Sequence, residues 1–200
     1  VDPVRYITNH STGKMGYAIA KIASRRGAEV TLVSGPTAEE EPAFVNVVNV
    51  CSAKEMFEAV KERAQEQDII IKAAAVADYR PKHIRGSKMK KTEDGSDLTL
   101  ELERTDDILA YLGAHKKQGQ FLCGFAMETE DLIANAKRKL EKKRLDMIAA
   151  NSLRVEGAGF GGNTNVVTVI TKEKEVSLGK MTKEETAAEL LTMIAEARKV

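Results

Sequence analysis

The 200-residue sequence lacks tryptophan and contains only two cysteines, four tyrosines and five phenylalanines. Such scarce aromatic rings argue against a stacking platform for single-stranded nucleic acid. Cys51 and Cys123 lie far apart, which rules out a disulfide scaffold and a CxxC metal or redox site and favours a reducing compartment. No apolar run is long enough to span a bilayer. We therefore expect a cytoplasmic protein that has no membrane partner.

An excess of charge of either sign is also absent. The sequence has 31 lysines and arginines against 30 aspartates and glutamates, which gives a formal net charge of +1. This balance creates no global field that would attract nucleic acid or an anionic membrane. The length fits one domain with a substantial core, so we expect residues 1–200 to form a single domain.

Hydrophobic periodicity alternates between helix and strand patterns along the chain. Helix patterns cover residues 13–26, 53–66, 106–116, 131–144 and 182–199. Strand patterns cover residues 29–34, 45–50, 68–75, 121–126, 146–150, 165–170 and 175–179. We expect Gly27 to end the first helix, and Ser52 and Thr182 to cap two others. Strands separated by helices predict an α/β fold with a doubly wound, mostly parallel, Rossmann-like sheet.

Residues 88–102 interrupt this alternation. Two short strand patterns, residues 88–92 and 98–102, flank Asp94-Gly95, a dipeptide typical of tight hairpin turns. The sequence therefore predicts a β-hairpin that projects from the sheet.

The start of the sheet is also unusual. A doubly wound sheet begins with a strand that leads into the first glycine-rich loop, but only residues 4–7 precede that loop here. Asp2-Pro3 is a poor start for a central strand. We therefore expect the first strand to lie upstream of Val1, in a longer polypeptide. The alternative is that residues 4–7 are the first strand.

A loop of small polar residues and glycines, residues 9–16 (NHSTGKMG), leads directly into the first helix. The backbone N–H groups of a helix start, together with the helix dipole, suit a phosphate. The alternative is that Ser11 or Thr12 only caps the helix. The loop is not a Walker A motif, because the leading glycine is missing and Met15 stands where Ser or Thr would bind magnesium.

Three other segments carry side chains that are suited to ligand binding or catalysis. Small residues and then Asp78 follow a predicted strand, where ligands of open α/β sheets bind, although Asp78 can instead cap a turn. Lys88 lies on the predicted hairpin, where lysines either protect an edge strand or close over a phosphate. Lys139 and Lys143 are spaced i, i+4, which directs two ammonium groups to one polyphosphate or leaves both on a solvated helix face.

Five segments resemble one family, in the same order along the chain. They are DPVRYITNHSTGKMG (2–16), AAAVADYRP (73–81), SKMKK (87–91), CGFAMET (123–129) and DMIAAN (146–151). They are similar to the synthetase domain of bacterial phosphopantothenoylcysteine synthetase, which in many bacteria is the C-terminal half of a bifunctional coenzyme A biosynthesis protein. The resemblance implies a homodimer, an upstream flavin-dependent decarboxylase domain, and a further strand before the first segment.

The resemblance also implies a two-step ligation. The carboxylate of 4′-phosphopantothenate attacks the α-phosphate of CTP, which forms an acyl-cytidylate and releases pyrophosphate. The amine of L-cysteine then attacks the activated carbonyl, which gives 4′-phosphopantothenoylcysteine and CMP. Mg²⁺ is expected on the triphosphate, with metal ligands that the sequence does not identify. Neither NAD nor a protein-bound transition metal is expected.

The positions that match the family motifs imply the site residues. Asn9 and Lys88 are the implied catalytic residues: Asn9 holds the acyl-nucleotide, and Lys88 belongs to a mobile loop that acts on the nucleotide. The implied nucleotide-binding residues are Asp78, Lys88, Asp106, Asp107, Ile108, Leu109, Phe125, Lys139 and Lys143. The implied substrate-binding residues are Asn9, Ala74, Ala75, Arg5 and His10.

Two other classes of function remain open from the residues alone. A nicotinamide-dependent oxidoreductase needs GxGxxG between the first strand and helix, whereas residues 157–162 match that pattern but precede a strand. It also needs an acid after the second strand, where Ser34-Gly35 stands. A non-catalytic dimerisation module would use its lysines only on a solvated face.

Overall fold

The computed structural model describes residues 1–90, 97–128, 131–152 and 161–198. These residues form five helices and eleven strands. The helices are α1 (Lys14–Arg25), α2 (Ala53–Ala64), α3 (Ile108–Ala114), α4 (Leu132–Lys142) and α5 (Lys183–Ala197). The strands are β1 (Val30–Ser34), β2 (Val45–Asn49), β3 (Ile69–Lys72), β4 (Tyr79–Pro81), β5 (Leu102–Arg104), β6 (Phe121–Glu128), β7 (Met147–Ser152), β8 (Thr164–Asn165), β9 (Val167–Ile170), β10 (Glu175–Ser177) and β11 (Met181–Thr182). The Asp94-Gly95 turn, residues 157–160 of the GxGxxG match and residue 199 of the predicted last helix lie outside the described residues.

A five-stranded sheet has the strand order β10–β9–β7–β6–β3. Within it β3, β6 and β7 run parallel, whereas β9 and β10 are antiparallel to their neighbours. β1 and β2 form a separate parallel pair, and β4–β5 and β8–β11 are short antiparallel pairs. The predicted α/β fold with a mostly parallel sheet is confirmed.

Two apolar cores hold the helices against opposite faces of this sheet. Leu112 of α3 and Leu140 of α4 pack in one core, and Ile19 of α1 and Leu190 of α5 pack in the other. Side chains of β6 and β7 alternate between the two cores, as successive residues of a strand must. Ile148 in β7 is fully buried. In the described parts of the chain, no helix is both long and apolar enough to cross a membrane.

α1 begins after one glycine and ends before another. Gly13, with φ 79°, is the N-cap residue, and its N–H donates to Ser11 Oγ at 3.4 Å. Neither Ser11 nor Thr12 is therefore the N-cap residue itself, although Ser11 accepts a hydrogen bond just before the helix. At the other end, Gly27 has φ 86° and its N–H donates to Ser24 O at 2.9 Å. This confirms Gly27 as the residue that ends the helix, because glycine adopts positive φ without steric strain.

The other two predicted caps are also confirmed. Ser52 Oγ accepts a hydrogen bond from Glu55 N–H at 3.1 Å at the start of α2. Thr182 Oγ1 accepts from Glu185 N–H at 3.1 Å, and the Glu185 carboxylate accepts from Thr182 N–H at 2.7 Å. These reciprocal bonds form a capping box at the start of α5.

Residues 91–96 of the predicted hairpin, including its turn, lie outside the described residues, and its described parts, residues 88–90 and 98–101, are not strands. An antiparallel ribbon instead joins β4 to β5, with Arg80 opposite Glu103. The reason is tertiary: Met89 N–H donates to the Asp2 carboxylate at 3.1 Å, and Met89 O accepts from Arg5 at 2.8 Å. Both backbone groups of Met89 are therefore bonded to residues outside the predicted hairpin.

β1 and β3 each have a strand partner on only one side within the described residues. β1 pairs with β2, and β3 pairs with β6. Both lie against α1, since α1 contacts β1 while Ile19 packs in the same core as Ile69 and Ile71 of β3. Residues 4–7 form no strand, so the alternative that they provide the first strand is wrong. A strand upstream of Val1 stays a prediction.

Candidate active site

Three parallel strands, β3, β6 and β7, end at the same edge of the sheet, and the loop before α1 lies against that edge. Asn9 Nδ2 donates a hydrogen bond to Val76 O at 3.2 Å, just beyond the end of β3. Ala74 and Ala75 precede Val76 and are half-buried. The structure therefore brings Asn9 and the two alanines together, where small side chains let a ligand approach the backbone.

Thr105 ties the segment after β3 to the start of α3. Its N–H donates to Asp78 O at 3.0 Å, and its Oγ1 donates to Ala77 O at 2.7 Å. Asp106 and Asp107 follow directly in the chain, so this tie brings the three acids to one edge of the sheet. In the described residues, no three His, Cys, Asp or Glu side chains are grouped so that they could hold a metal ion.

Lys139 and Lys143 face the protein, not the solvent. Both are half-buried, whereas Lys137, Arg138 and Lys142 of the same basic run are exposed. The i, i+4 spacing therefore places the two lysines on one inward face, as predicted. This burial argues against the alternative in which both lie on a solvated helix face.

Lys143 forms an ion pair with Asp107 at the start of α3. Its Nζ lies 2.9 Å from Asp107 Oδ2 and 3.1 Å from Oδ1. Asp107 also caps α3, because its Oδ1 accepts from Ala110 N–H at 3.0 Å. Burial alone would raise the pKa of Asp107, but the bonds from Lys143 and Ala110 and the charges of Lys143 and Lys72 lower it below its usual value. Asp107 therefore stays ionised and keeps Lys143 extended towards the edge.

Lys72, at the end of β3, is a charged residue of this site that the sequence motifs did not single out. It is half-buried. Its pKa is lowered first by burial and then by the charges of Lys143 and Lys139, while Asp107 and Asp78 act in the opposite direction. The sequence did carry a signal: Lys72 is the one charge in the apolar run IIIKAAA. Lys72, Lys139 and Lys143 thus form one electrostatic cluster with Asp78 and Asp107 at the edge. We call the three lysines the lysine cluster.

Asn151, near the end of β7, is a second residue that sequence reasoning missed. It is only 4% exposed, and its Oδ1 has no hydrogen-bond partner in the described structure. Its Nδ2 donates to Asn165 Oδ1 at 2.5 Å, and Asn165 Nδ2 lies 3.7 Å from Met15 Sδ in α1. Buried acceptors are rarely left unpaired in proteins. The oxygen of Asn151 is therefore an unusual feature at this edge of the sheet.

Some predicted nucleotide residues occupy different faces of the sheet. Ile108 and Leu109 are each 3% exposed, so their side chains belong to the core and only their backbone can meet a ligand. Phe125 packs against the core on the α1 side, whereas Leu109 belongs to the opposite core. A ligand that touched both would have to cross the edge of the sheet.

Three other predicted residues, Lys88, His10 and Arg5, make no hydrogen bond or ion pair with the lysine cluster in the described structure. Lys88 and His10 are exposed. The Arg5 guanidinium donates to the Asp2 carboxylate and to Met89 O. Arg5, predicted to contact a phosphate, is thus engaged by protein groups next to Lys88.

Lys72→Met tests whether the ammonium group opposes folding. Because the pKa of Lys72 is lowered in the folded state, the unfolded chain binds that proton more tightly, and stability rises as the pH approaches the ordinary lysine value of about 10.4. We expect the variant to raise the free energy of unfolding at pH 7 by about 1 kcal/mol and to lose part of the gain between pH 7 and pH 10. Urea unfolding measures both effects.

The control for this measurement is Lys54→Met, which replaces an exposed lysine of α2. Equal stability changes in the two variants, at both pH values, would contradict the electrostatic cluster.

Comparisons with known proteins agree on one family. The family described as the DNA/pantothenate metabolism flavoprotein C-terminal domain matches residues 1–197. The coenzyme A biosynthesis bifunctional protein CoaBC of Vibrio vulnificus (strain YJ016) is 47% identical over 194 residues, which is 97% of this chain and 48% of that protein. The protein of the same name from Bacillus subtilis (strain 168) is 47% identical over 201 residues, 100% of this chain and 49% of that protein.

A solved structure supports the same assignment. The crystal structure of the C-terminal domain of a CoaBC protein has a TM-score of 0.81 and 45% identity, covering 97% of this chain and 87% of that one. The chain spans about half the length of the curated relatives it matches. The resemblance seen in the sequence segments is confirmed, and the chain belongs to the family of the DNA/pantothenate metabolism flavoprotein C-terminal domain.

Proposed function

We propose that this chain is the ligase domain that joins 4′-phosphopantothenate to L-cysteine in coenzyme A biosynthesis, with CTP as the activating nucleotide. The observation that carries the proposal is that the Asn9 loop, residues 73–78 and the Lys143–Asp107 pair meet at one edge of the sheet. An acyl group and a nucleotide must meet in one place for such a reaction. The names of the CoaBC relatives support the same pathway.

Asn9 would act on the acyl group. A carboxylate is a poor electrophile until one of its oxygens becomes part of a good leaving group, here CMP. A primary amide carries two N–H donors, and Asn9 Nδ2 uses one of them for Val76 O. We assign the second donor to the acyl oxygen, which gains negative charge when L-cysteine attacks. Ala74 and Ala75 leave room for the acyl chain beside it.

The lysine cluster would bind the nucleotide phosphates. Lys139, Lys143 and Lys72 carry positive charge at the edge where Asp78, Asp106 and Asp107 also lie, and Lys143 is paired with Asp107. A triphosphate would add negative charge beside Lys72 and Lys139 and favour the protonated form of Lys72. We place Mg²⁺ on the triphosphate itself, where it would neutralise charge on the phosphate oxygens.

The remaining predicted residues would complete the nucleotide and substrate sites. The backbone of Asp106, Ile108 and Leu109 would meet the cytosine, and Phe125 would pack against the nucleotide from the α1 face. Lys88 would close over the reacting phosphate. Arg5 and His10 would then contact the phosphate of 4′-phosphopantothenate only at the border of the site.

Pyrophosphate release tests the proposed function directly. We expect the full-length protein to release pyrophosphate from CTP when 4′-phosphopantothenate is present, and to release CMP and form product once L-cysteine is added. A coupled phosphate assay and mass spectrometry of the product measure the two steps. Absence of release with CTP, ATP or any other nucleotide would overturn the ligase function and favour the dimerisation module.

Lys88→Gln tests the catalytic lysine. The variant keeps a polar side chain, one atom shorter than lysine, but removes the charge that would stabilise the reacting phosphate, so we expect kcat to fall about a hundredfold. The melting temperature should not change, because Lys88 is exposed. Lys90→Gln, at an exposed lysine of the same segment, is the control. Similar kcat values for both variants would refute the role of Lys88.

We also propose that the domain forms a homodimer and is joined to an upstream flavin-dependent decarboxylase. An exposed apolar surface supports the dimer, and its most exposed members are Tyr6 at 82%, Ile84 at 74%, Val4 at 59% and Leu98 at 58%. Two backbone hydrogen bonds join the segments that carry these apolar side chains. Arg85 N–H donates to Val1 O at 3.1 Å, and Lys82 N–H donates to Glu101 O at 3.0 Å. Apolar side chains exposed together on a surface are typical of protein interfaces.

Ile84→Glu tests this surface, because a buried carboxylate at the interface would oppose association. We expect the dimer dissociation constant to rise at least about tenfold, measured by size-exclusion chromatography with light scattering. Phe44→Glu is the control, since Phe44 is 96% exposed but precedes β2, outside this surface. A dimer that persists in Ile84→Glu and dissociates in Phe44→Glu would place the interface elsewhere.

A further inference from the structure

The carboxylate of Asp2 is buried and accepts hydrogen bonds from two distant parts of the chain. Oδ1 accepts from the N–H groups of Val4 and Arg5, each at 3.0 Å. Oδ2 accepts from Arg5 Nε at 3.0 Å, from a terminal nitrogen of the same guanidinium, and from Met89 N–H at 3.1 Å. Asp2 is only 8% exposed, so these donors replace the water that the carboxylate would otherwise bind.

Arg5 completes a clip around Met89. The guanidinium nitrogen that bonds to Asp2 also donates to Met89 O at 2.8 Å. Asp2 and Arg5 therefore bind both polar groups of one backbone unit, the N–H and the C=O of Met89. Hydrogen bonds to charged groups are stronger than neutral ones. We call this arrangement of Asp2, Arg5 and Met89 the Asp2–Arg5 clip.

Lys88 is the residue directly before the one that the clip holds. Its side chain is exposed, and no strand pairing holds its backbone. A long lysine side chain has many conformations, so its useful orientation depends on where its backbone lies. By holding Met89, the clip limits the positions that the Lys88 ammonium can reach.

We propose that Asp2 is a positioning residue for the ligase reaction, acting through the Asp2–Arg5 clip to place Lys88 over the reacting phosphate. This role rests on the proposed function, in which Lys88 acts on the nucleotide. Misplacement of a catalytic group by about 1 Å can reduce a rate as much as a hundredfold. The clip therefore gives a structural reason why a residue outside the lysine cluster would control the rate.

The charge of Asp2 keeps the clip closed. The hydrogen bond from Arg5 lowers the pKa of Asp2 well below its usual range, against the opposing effect of burial, and the Val4 and Met89 N–H groups lower it further. Asp2 is therefore ionised at every pH at which the reaction would be assayed.

Asp2→Asn, made in the full-length protein, tests the proposal because the amide keeps the size of the side chain but removes its charge. Amide hydrogen exchange of the peptide that contains Met89 measures the clip without any assay of activity. Steady-state kinetics of pyrophosphate release measure its effect on the reaction. The same substitution made in Lys88→Gln shows whether Asp2 acts through Lys88.

We expect Asp2→Asn to speed exchange at Met89, to lower kcat about tenfold or more, and to leave the KM for CTP unchanged. In the Lys88→Gln background the substitution should cause no further loss of kcat. Asp2→Glu, which keeps the charge, should restore part of both effects. Glu29→Gln, at an exposed carboxylate before β1, is the control and should change neither quantity.

Three results would overturn the proposal. Unchanged exchange at Met89 would mean that Asp2 does not hold this segment. An equal loss of kcat in the Lys88→Gln background would mean that Asp2 acts on another part of the site. A higher KM for 4′-phosphopantothenate with unchanged kcat would mean that Asp2 only orients Arg5 towards substrate. If the wild-type protein releases no pyrophosphate, the ligase function fails, whereas hydrogen exchange still decides whether the clip exists.

Discussion

The parallel pairing of β3, β6 and β7 is the constraint on which the rest of the structure depends. Parallel strands need connections that cross a face of the sheet, so α3 and α4 must cover one face and all three strands must end at one edge. The register places Lys72 beside Gly124 and Gly124 beside Ile148. Residues distant in sequence, such as Asp78 and Asn151, are thereby carried to the same edge, and the site is a consequence of the pairing.

Two polar side chains at this edge, Lys72 and Asn151, lie in surroundings that do not fully satisfy them. Lys72 is half-buried beside two other lysines, which lowers its pKa, and Asn151 keeps a buried oxygen without a partner in the described structure. A purely structural edge would favour apolar or fully bonded side chains there. Perturbed pKa values of this kind cluster at functional sites. In the proposed function, the negative charges of a nucleotide would complement Lys72.

Apolar periodicity predicted most helices and strands correctly, because it records directly which side of each element is buried. The i, i+4 spacing predicted that Lys139 and Lys143 share one helix face, and the place of Asp78 after a strand predicted its position at the edge of the sheet. Lys72 and Asn151 gain their significance only from neighbours that folding brings close. Asp2 bonds to Met89, 87 positions away, and no local pattern carries that information. The strand predicted from residue 88 onward is absent over residues 88–90 for the same reason, because its signal is local whereas the bonds of Met89 are tertiary.

Our central proposal is that the site at this edge activates the carboxylate of 4′-phosphopantothenate as an acyl-cytidylate, from which CMP then leaves. Mass spectrometry of the CMP formed from 4′-phosphopantothenate with an ¹⁸O-labelled carboxylate tests this most directly. The oxygen that attacks the α-phosphate stays with CMP when L-cysteine attacks the carbonyl, so the account predicts CMP that carries one ¹⁸O atom. Label in orthophosphate, or CMP without label in a reaction that still forms product, would contradict it.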